Sequence, residues 1–195
     1  MREFFYFSKE ARTSGNFKDL KKAGRLDIAC HVVIMSFFVS HLIRSNVKLH
    51  LFFYGPPDPI KHLEIGPITK ESQDIISKKD VSGLLKRMLY KYKQGKKMQV
   101  FNDCWIEKKD IFTELKNLEQ KGRTIYILDD KGEDIRKIKI EKNPIFVLGD
   151  HEGFNKKELK DLERLGKKVS VGDVTYFASQ TIAIIQNELD RQKIE

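Results

Sequence analysis

The chain has 195 residues, 40% of them apolar and 33% charged, a globular composition with enough length to bury a substantial core. No window of about twenty uncharged apolar residues demands a membrane, and two cysteines, Cys30 and Cys104, supply neither a disulfide framework nor Cys-x-x-Cys metal spacing. The formal net charge of +9 suits a polyanionic partner, because a cationic surface gains affinity by releasing counterions from phosphates; solvated lysines on a thermophile-type surface give the same number.

The N-terminal run through Phe4 to Phe7 reads as a short, aromatic, buried strand and has none of the marks of a secretory leader, so a cytoplasmic protein is expected. A polar loop follows, Ser8-Lys-Glu-Ala-Arg12-Thr-Ser-Gly15-Asn16, and leads to Ala23-Gly-Arg-Leu-Asp27. Ile28, Val32, Met35, Val39 and Leu42 then recur at helical spacing with apolar neighbours on nearly every side. This predicts one long buried helix against a sheet, with room for a second subunit against it. Asp27, His31 and His41 interrupt that stretch and argue against a membrane span.

Val47 to Tyr54 predicts a second strand, closed by Gly55-Pro-Pro-Asp-Pro59, where the prolines exclude a helix. Lys61 to Ile65 alternates as an edge strand would, and Asp80 is placed to cap a helix through Leu84, Leu85, Met88 and Leu89. From Val81 to Asn102 there is no acidic residue. Lys86, Arg87, Lys91, Lys93, Lys96 and Lys97 interleave there with Tyr90 and Tyr92, the charge and stacking equipment of an RNA-binding surface. Asp110 to Lys121 is an amphipathic helix stopped by Gly122, and Thr124 to Leu128 a strand ending in the corner Asp129-Asp-Lys-Gly132.

Ile145 to Leu148 is another strand, broken at Gly149-Asp-His-Glu-Gly153. Asn155 caps a helix through Leu159, Leu162 and Leu165. Val169-Ser-Val-Gly172 repeats the strand-then-glycine design, and Ala178 to Leu189 forms the last helix. Alternating strands and helices predict one α/β domain over residues 1–195, with a mainly parallel sheet flanked by helices. Glycine corners at one sheet edge let backbone groups approach a small molecule, which makes this edge the expected ligand site.

No nucleophile elbow, HExxH helix or phosphate-binding GxxxxGK[ST] loop is present. The five histidines are scattered, and the consecutive side chains of Asp150-His-Glu152 rarely converge on one ion, so no metal is expected.

The corners Leu128-Asp-Asp, Leu148-Gly-Asp-His-Glu-Gly-Phe154 and Ser170-Val-Gly-Asp-Val-Thr-Tyr-Phe-Ala178, taken in that order with the final helix, resemble the SPOUT class of methyltransferases. Together with Phe7-Ser-Lys-Glu-Ala-Arg-Thr-Ser-Gly-Asn-Phe17 and Gly24-Arg-Leu-Asp-Ile28, they are most similar to the archaeal TrmY-like tRNA pseudouridine N1-methyltransferases. The likeness covers essentially the whole chain. The Arg-x-Asp-Ile element is shared with a sister family that acts on rRNA.

The resemblance implies a C-terminal trefoil knot, a homodimer, and S-adenosylmethionine bound near the subunit interface. Leu128, Gly149, Gly153, Val171, Gly172 and Tyr176 would wrap the cofactor. The activity implied is methylation of N1 of pseudouridine in the T-loop of tRNA, at position 54. An rRNA substrate and a non-catalytic RNA-binding or ribosome-assembly role on the same scaffold are the alternatives.

Asp27 is the candidate to orient or deprotonate the base, or else it caps the long helix; Arg25 and Arg12 are candidates for phosphate or base contacts. Relatives often carry proline after the third-corner glycine and then Leu-His-Ala-Asp-x-Cys. Here Asp173 follows Gly172 and Thr181 stands in place of the cysteine, so no cysteine-dependent role carries over.

Overall fold

A computed structural model of the chain describes residues 1–40, 42–67 and 78–195. Its strands are β1 (Arg2–Ser8), β2 (Phe38–Val39), β3 (Leu42–Ile43), β4 (Val47–Phe53), β5 (Lys61–Ile65), β6 (Met98–Phe101), β7 (Cys104–Glu107), β8 (Ile125–Asp134), β9 (Ile145–Gly149) and β10 (Lys167–Ser170). The helices are α1 (Leu26–Phe37), α2 (Lys78–Lys91), α3 (Ile111–Gln120), α4 (Lys156–Glu163) and α5 (Ala178–Arg191).

The aromatic run of β1 is buried along its whole length because the strand lies inside an eight-stranded sheet covered on both faces. Successive side chains point to opposite faces. Phe4 and Tyr6 therefore pack with residues of α1, α2 and α5, and Phe5 and Phe7 with Ile111, Leu115 and Leu162 of α3 and α4. Burying each such ring stabilises the fold by about 2 kcal/mol.

The order across the sheet is β10-β8-β9-β1-β4-β5-β7-β6. The pairings from β10 to β4 are parallel, and those from β4 to β6 antiparallel. The sheet is thus mixed, with parallel pairing throughout its C-terminal half.

Three expectations are corrected. The helix predicted through Leu42 ends at Phe37, where Phe38 turns extended and a two-stranded hairpin of β2 and β3 follows. The Arg44 N–H donates to the Phe37 carbonyl (2.8 Å) and closes it. Val39 and Leu42 keep helical spacing from Met35, yet Phe37, Phe38 and Val39 are bulky or β-branched residues that also suit extended backbone. All three residues of that stripe, Met35, Val39 and Leu42, are exposed. His41 lies outside the described residues.

The alternating segment Lys61–Ile65 is not an edge strand, because β7 pairs beyond it and β6 beyond that. Its two covering strands are short and sit directly after the basic stretch, where their alternation is hard to see. Finally, Asp129–Gly132 is assigned within β8. The pairing with β10 jumps there from Ile127 opposite Lys168 to Glu133 opposite Val169, so residues 128–132 still bulge out of the ladder as a corner would.

Candidate active site

Parallel strands end together, and the C-terminal ends of β8, β9 and β10 with the start of α5 enclose a cavity of about 480 Å³. Leu128, Asp129 and Asp130 of the bulge line one side, Gly149–Asp150 and Gly153 a second, and Val171–Gly172 with Val174–Ala178 a third. All six residues named for the cofactor (Leu128, Gly149, Gly153, Val171, Gly172 and Tyr176) are on this wall.

Two glycines shape it. Gly153 and Gly172 have φ of 63° and 133°, a region L side chains rarely adopt, and a methyl group on either would point into open space. The Ser170 hydroxyl accepts from the Gly172 N–H (3.0 Å) and donates to the Gly172 carbonyl (2.9 Å), which pins the third corner.

The loop from Ser8 to Arg25 lies beside this cavity. Gly24 (φ 68°) and Arg25 (φ 59°) are both left-handed, and a Cβ on Gly24 would fall 1.6 Å from the Glu10 carbonyl oxygen. Arg25 occupies the N-cap position of α1 with no side-chain cap, and Asp27 sits in the first turn. Asp27 is therefore not the cap. Its carboxylate accepts from Arg25 Nε (3.0 Å) and Nη2 (3.2 Å); this contact raises the pKa of the guanidinium further. Asp27 is buried, and its neighbour Ile28 lines the cavity. Arg12 places its Nε in the interior without a hydrogen-bond partner.

The six basic residues separate into two groups. Lys86 donates to the Phe17 carbonyl (3.0 Å) and lies over the Phe17 ring, while Lys97 bridges Glu64 and Glu107. These two brace the fold. Arg87, Lys91, Lys93 and Lys96 are exposed. Gly15 packs against the Tyr90 ring, where a Cβ would come within 2.6 Å; α2 and the Ser8–Arg25 loop thus form one continuous surface.

The histidines are less scattered than their spacing suggests. Register on β4 and β5 sets His50 Nδ1 2.9 Å from His62 Nε2. Among the described residues, His50, His62 and Glu64 are the set whose ligand atoms lie within 4.8 Å of one another. Their geometry is that of a hydrogen-bonded pair, because ring centroids 5.1 Å apart with a 15° interplanar angle aim the two nitrogens at each other. Glu64 is meanwhile held by Lys97 (2.6 Å) and Lys48 (3.2 Å).

Sequence reasoning did not name Asp129, Asp130, Asp150, Gln180 or Thr181 as cofactor-site residues, and these also line the cavity. The Gly-Asp-His-Glu-Gly string was the available signal for Asp150, and a carboxylate directly after a strand-end glycine could have been read as a binding residue.

Comparison with known proteins agrees with this geometry. A family model described as "Putative SAM-dependent RNA methyltransferase" matches residues 1–194. A Methanosarcina acetivorans protein named tRNA (pseudouridine(54)-N(1))-methyltransferase is 34% identical, over 100% of this chain and 93% of its own. A Pyrococcus abyssi protein of the same name is 33% identical, over 98% of each. Among solved structures, Archaeoglobus fulgidus Nep1 bound to S-adenosylhomocysteine superimposes with a TM-score of 0.67 over 98% of each chain, and at 14% identity this likeness speaks for the fold alone. By the full-length family match, this chain belongs to the family of SAM-dependent RNA methyltransferases.

Proposed function

We propose that this chain, as one methyltransferase domain over residues 1–195, transfers the methyl group of S-adenosylmethionine to N1 of pseudouridine 54 in tRNA, the reaction its relatives are named for. The observation that carries the reading is a three-corner cavity beside the turn that holds the Arg25–Asp27 pair, the adjacent Ile28 lining the cavity wall.

The cavity fits the cofactor. Its volume falls in the roughly 300–1,000 Å³ range of small-molecule sites, and its floor is apolar, from Ile28, Leu128, Leu148, Val169 and Val171. Free space flanks Gly153 and Gly172, where backbone groups can be reached. Leu128, Gly149, Gly153, Val171, Gly172 and Tyr176 would hold the nucleoside and amino-acid parts. The bound cofactor supplies a sulfonium-activated methyl group, so the chain's own residues need only align the acceptor nitrogen and manage its weakly acidic proton. Asp27 is the group assigned to that proton. Arg25 fixes the carboxylate, and Arg12, half-buried on the same loop, is assigned to a phosphate or base.

Replacing Gly172 by valine should test the cavity. A β-branched side chain at φ 133° is strained by about 1–3 kcal/mol and points into the same space, so S-adenosylhomocysteine affinity should fall at least about tenfold by calorimetry. Wild-type affinity in that variant would remove Gly172 from the site.

A C-terminal knot belongs to this reading: β10 pairs with β8 on the side away from β9, and α5 packs on α1 while Gln192, just after α5, bonds the Ile138 carbonyl and the Ile140 N–H (3.0 Å each). Met35, Val39 and Leu42, exposed at 42%, 43% and 71%, form an apolar patch suited to a second copy, and the protein is read as a cytoplasmic homodimer. No helix among the described residues is long and apolar enough to cross a membrane.

The exposed cations Arg87, Lys91, Lys93 and Lys96 are assigned to the RNA backbone, with Lys86 and Lys97 bracing that surface through their own contacts. Changing Lys93 and Lys96 together to alanine should weaken tRNA binding and reduce the salt dependence of log K by about 1.4 to 2 units of slope. An unchanged slope would move the RNA elsewhere. The activity itself is tested by mass spectrometry of pseudouridine-containing tRNA after incubation with labelled S-adenosylmethionine. Transfer of one methyl group to residue 54 is expected; transfer to rRNA alone would assign the chain to the rRNA-modifying branch.

A further inference from the structure

The cofactor cavity and the Ser8–Arg25 loop are joined at one point. Asp150 lines the cavity, and one oxygen of its carboxylate reaches the end of β1. Asp150 Oδ2 accepts from the Ser8 hydroxyl (2.7 Å) and from the Lys9 backbone N–H (3.2 Å). Its other oxygen accepts from the Glu152 N–H (2.9 Å), and its carbonyl from the Gly153 N–H (3.1 Å). One side chain thus ties the glycine corner to the residue at which the loop departs from the sheet.

The connection continues on the loop side. Ser8 Oγ accepts from the Ala11 N–H (3.2 Å). The Ala11 carbonyl accepts from the Gly55 N–H (3.1 Å), and the Arg12 N–H donates to the Ala23 carbonyl (3.1 Å), one residue before the left-handed Gly24–Arg25 step that delivers Asp27. Beneath it, the fully buried Tyr6 phenol contacts Ser8. Burial and the charges of Asp150 and Asp27 all push its pKa well above the ordinary phenol value, so it stays a neutral phenol.

We infer that Asp150 and Ser8 are positioning residues that couple cofactor binding to the placement of the RNA-facing loop. Hydrogen bonds to an ionised carboxylate are short and stronger than neutral ones, and Ser8 at 2% exposure has no water to replace a lost partner. A ligand that fixes the corner between Gly149 and Gly153 fixes the Asp150 carboxylate, and through it the Ser8, Lys9 and Ala11 backbone. Coupling of this kind is reciprocal: RNA on the loop should tighten the cofactor by the same factor.

This inference rests on the methyltransferase reading, and the experiment separates the two. The affinity of full-length protein for pseudouridine-containing tRNA is measured with and without saturating S-adenosylhomocysteine, and the affinity for S-adenosylhomocysteine with and without tRNA. Wild type should show equal tightening in both directions, in the roughly 5- to 150-fold range of site–site coupling. Ser8→Ala should bind both ligands separately yet reduce the factor to under about twofold, and Asp150→Asn, on the cavity wall, should reduce the factor likewise whatever its affinity for S-adenosylhomocysteine alone.

A purely structural role would lower the melting temperature and leave the factor intact. Wild-type coupling in Ser8→Ala, or the absence of coupling in the wild type, overturns the inference while methyl transfer still stands. Failure of S-adenosylhomocysteine to bind wild type overturns the methyltransferase reading itself.

Discussion

Asp27→Asn is expected to slow methyl transfer to pseudouridine-containing tRNA by about 10² to 10⁴-fold, the usual contribution of a positioned acid or base, with S-adenosylhomocysteine affinity unchanged. The second half follows from placement: Ile28 lines the cavity and Asp27 does not, its carboxylate being held by Arg25. Asparagine keeps the shape and still accepts one hydrogen bond from the Arg25 guanidinium, so the loop should hold. What it loses is the negative charge and the capacity to take a proton.

The companion variant Arg25→Ala tells orientation from chemistry. If the guanidinium acts only by holding the carboxylate, the double variant should be little worse than Asp27→Asn alone, because residues acting as one unit are strongly non-additive. Additive losses would give Arg25 a separate contact with RNA. A single-turnover rate within about threefold of wild type in Asp27→Asn would remove Asp27 from the chemistry altogether.

The readable and unreadable parts of this chain differ for physical reasons. Strands β1, β4 and β9 were legible because both their faces are buried, which leaves uninterrupted apolar runs. The helices α3 and α4 carried local start signals that the structure honours. Asp110 accepts from the Thr113 N–H (3.0 Å), and Asn155 forms a reciprocal capping box with Glu158. The end of α1 was not legible, since apolar residues at helical spacing fit both a continued helix and an exposed hairpin. The cavity's glycine corners could be seen as glycines, but not their convergence, which depends on the crossing order of β8, β9 and β10. The His50–His62 contact likewise exists only through strand register: the two residues are twelve apart in the chain and meet diagonally across the β4–β5 ladder.

That contact underlies the second large expectation, a loss of stability in acid that begins well above the carboxylate range. Four groups run across the sheet: Glu3 and His50 (3.3 Å), His50 and His62 (2.9 Å), His62 and Glu107 (3.3 Å). Burial, with His50 beside it, holds His62 down to about 4 from its ordinary value of 6.5. Between these two pH values the unfolded chain takes up a proton that the folded chain refuses, so stability falls as pH drops through that window. Glu3 continues the trend. Burial alone would raise it, yet contact with His50 and the nearby Arg123 bring it from 4.5 down to about 2. Its stabilisation, on the order of 3 kcal/mol, is fully present above pH 4.5 and is lost as pH falls toward 2. Glu64, opposed by burial but held down by Lys97, His50 and Lys48, also lies at about 2 and has the same sign. The two do not simply add, because both depend on His50. Urea unfolding at pH 7, 5.5 and 4.5 should therefore show the free energy of unfolding declining across all three points. In His62→Gln the pH 7 to 4.5 stretch should be markedly flatter, leaving the later carboxylate-driven loss in place. A wild-type protein equally stable at pH 7 and 4.5 would show that His62 takes up its proton in the folded sheet as readily as in the unfolded chain.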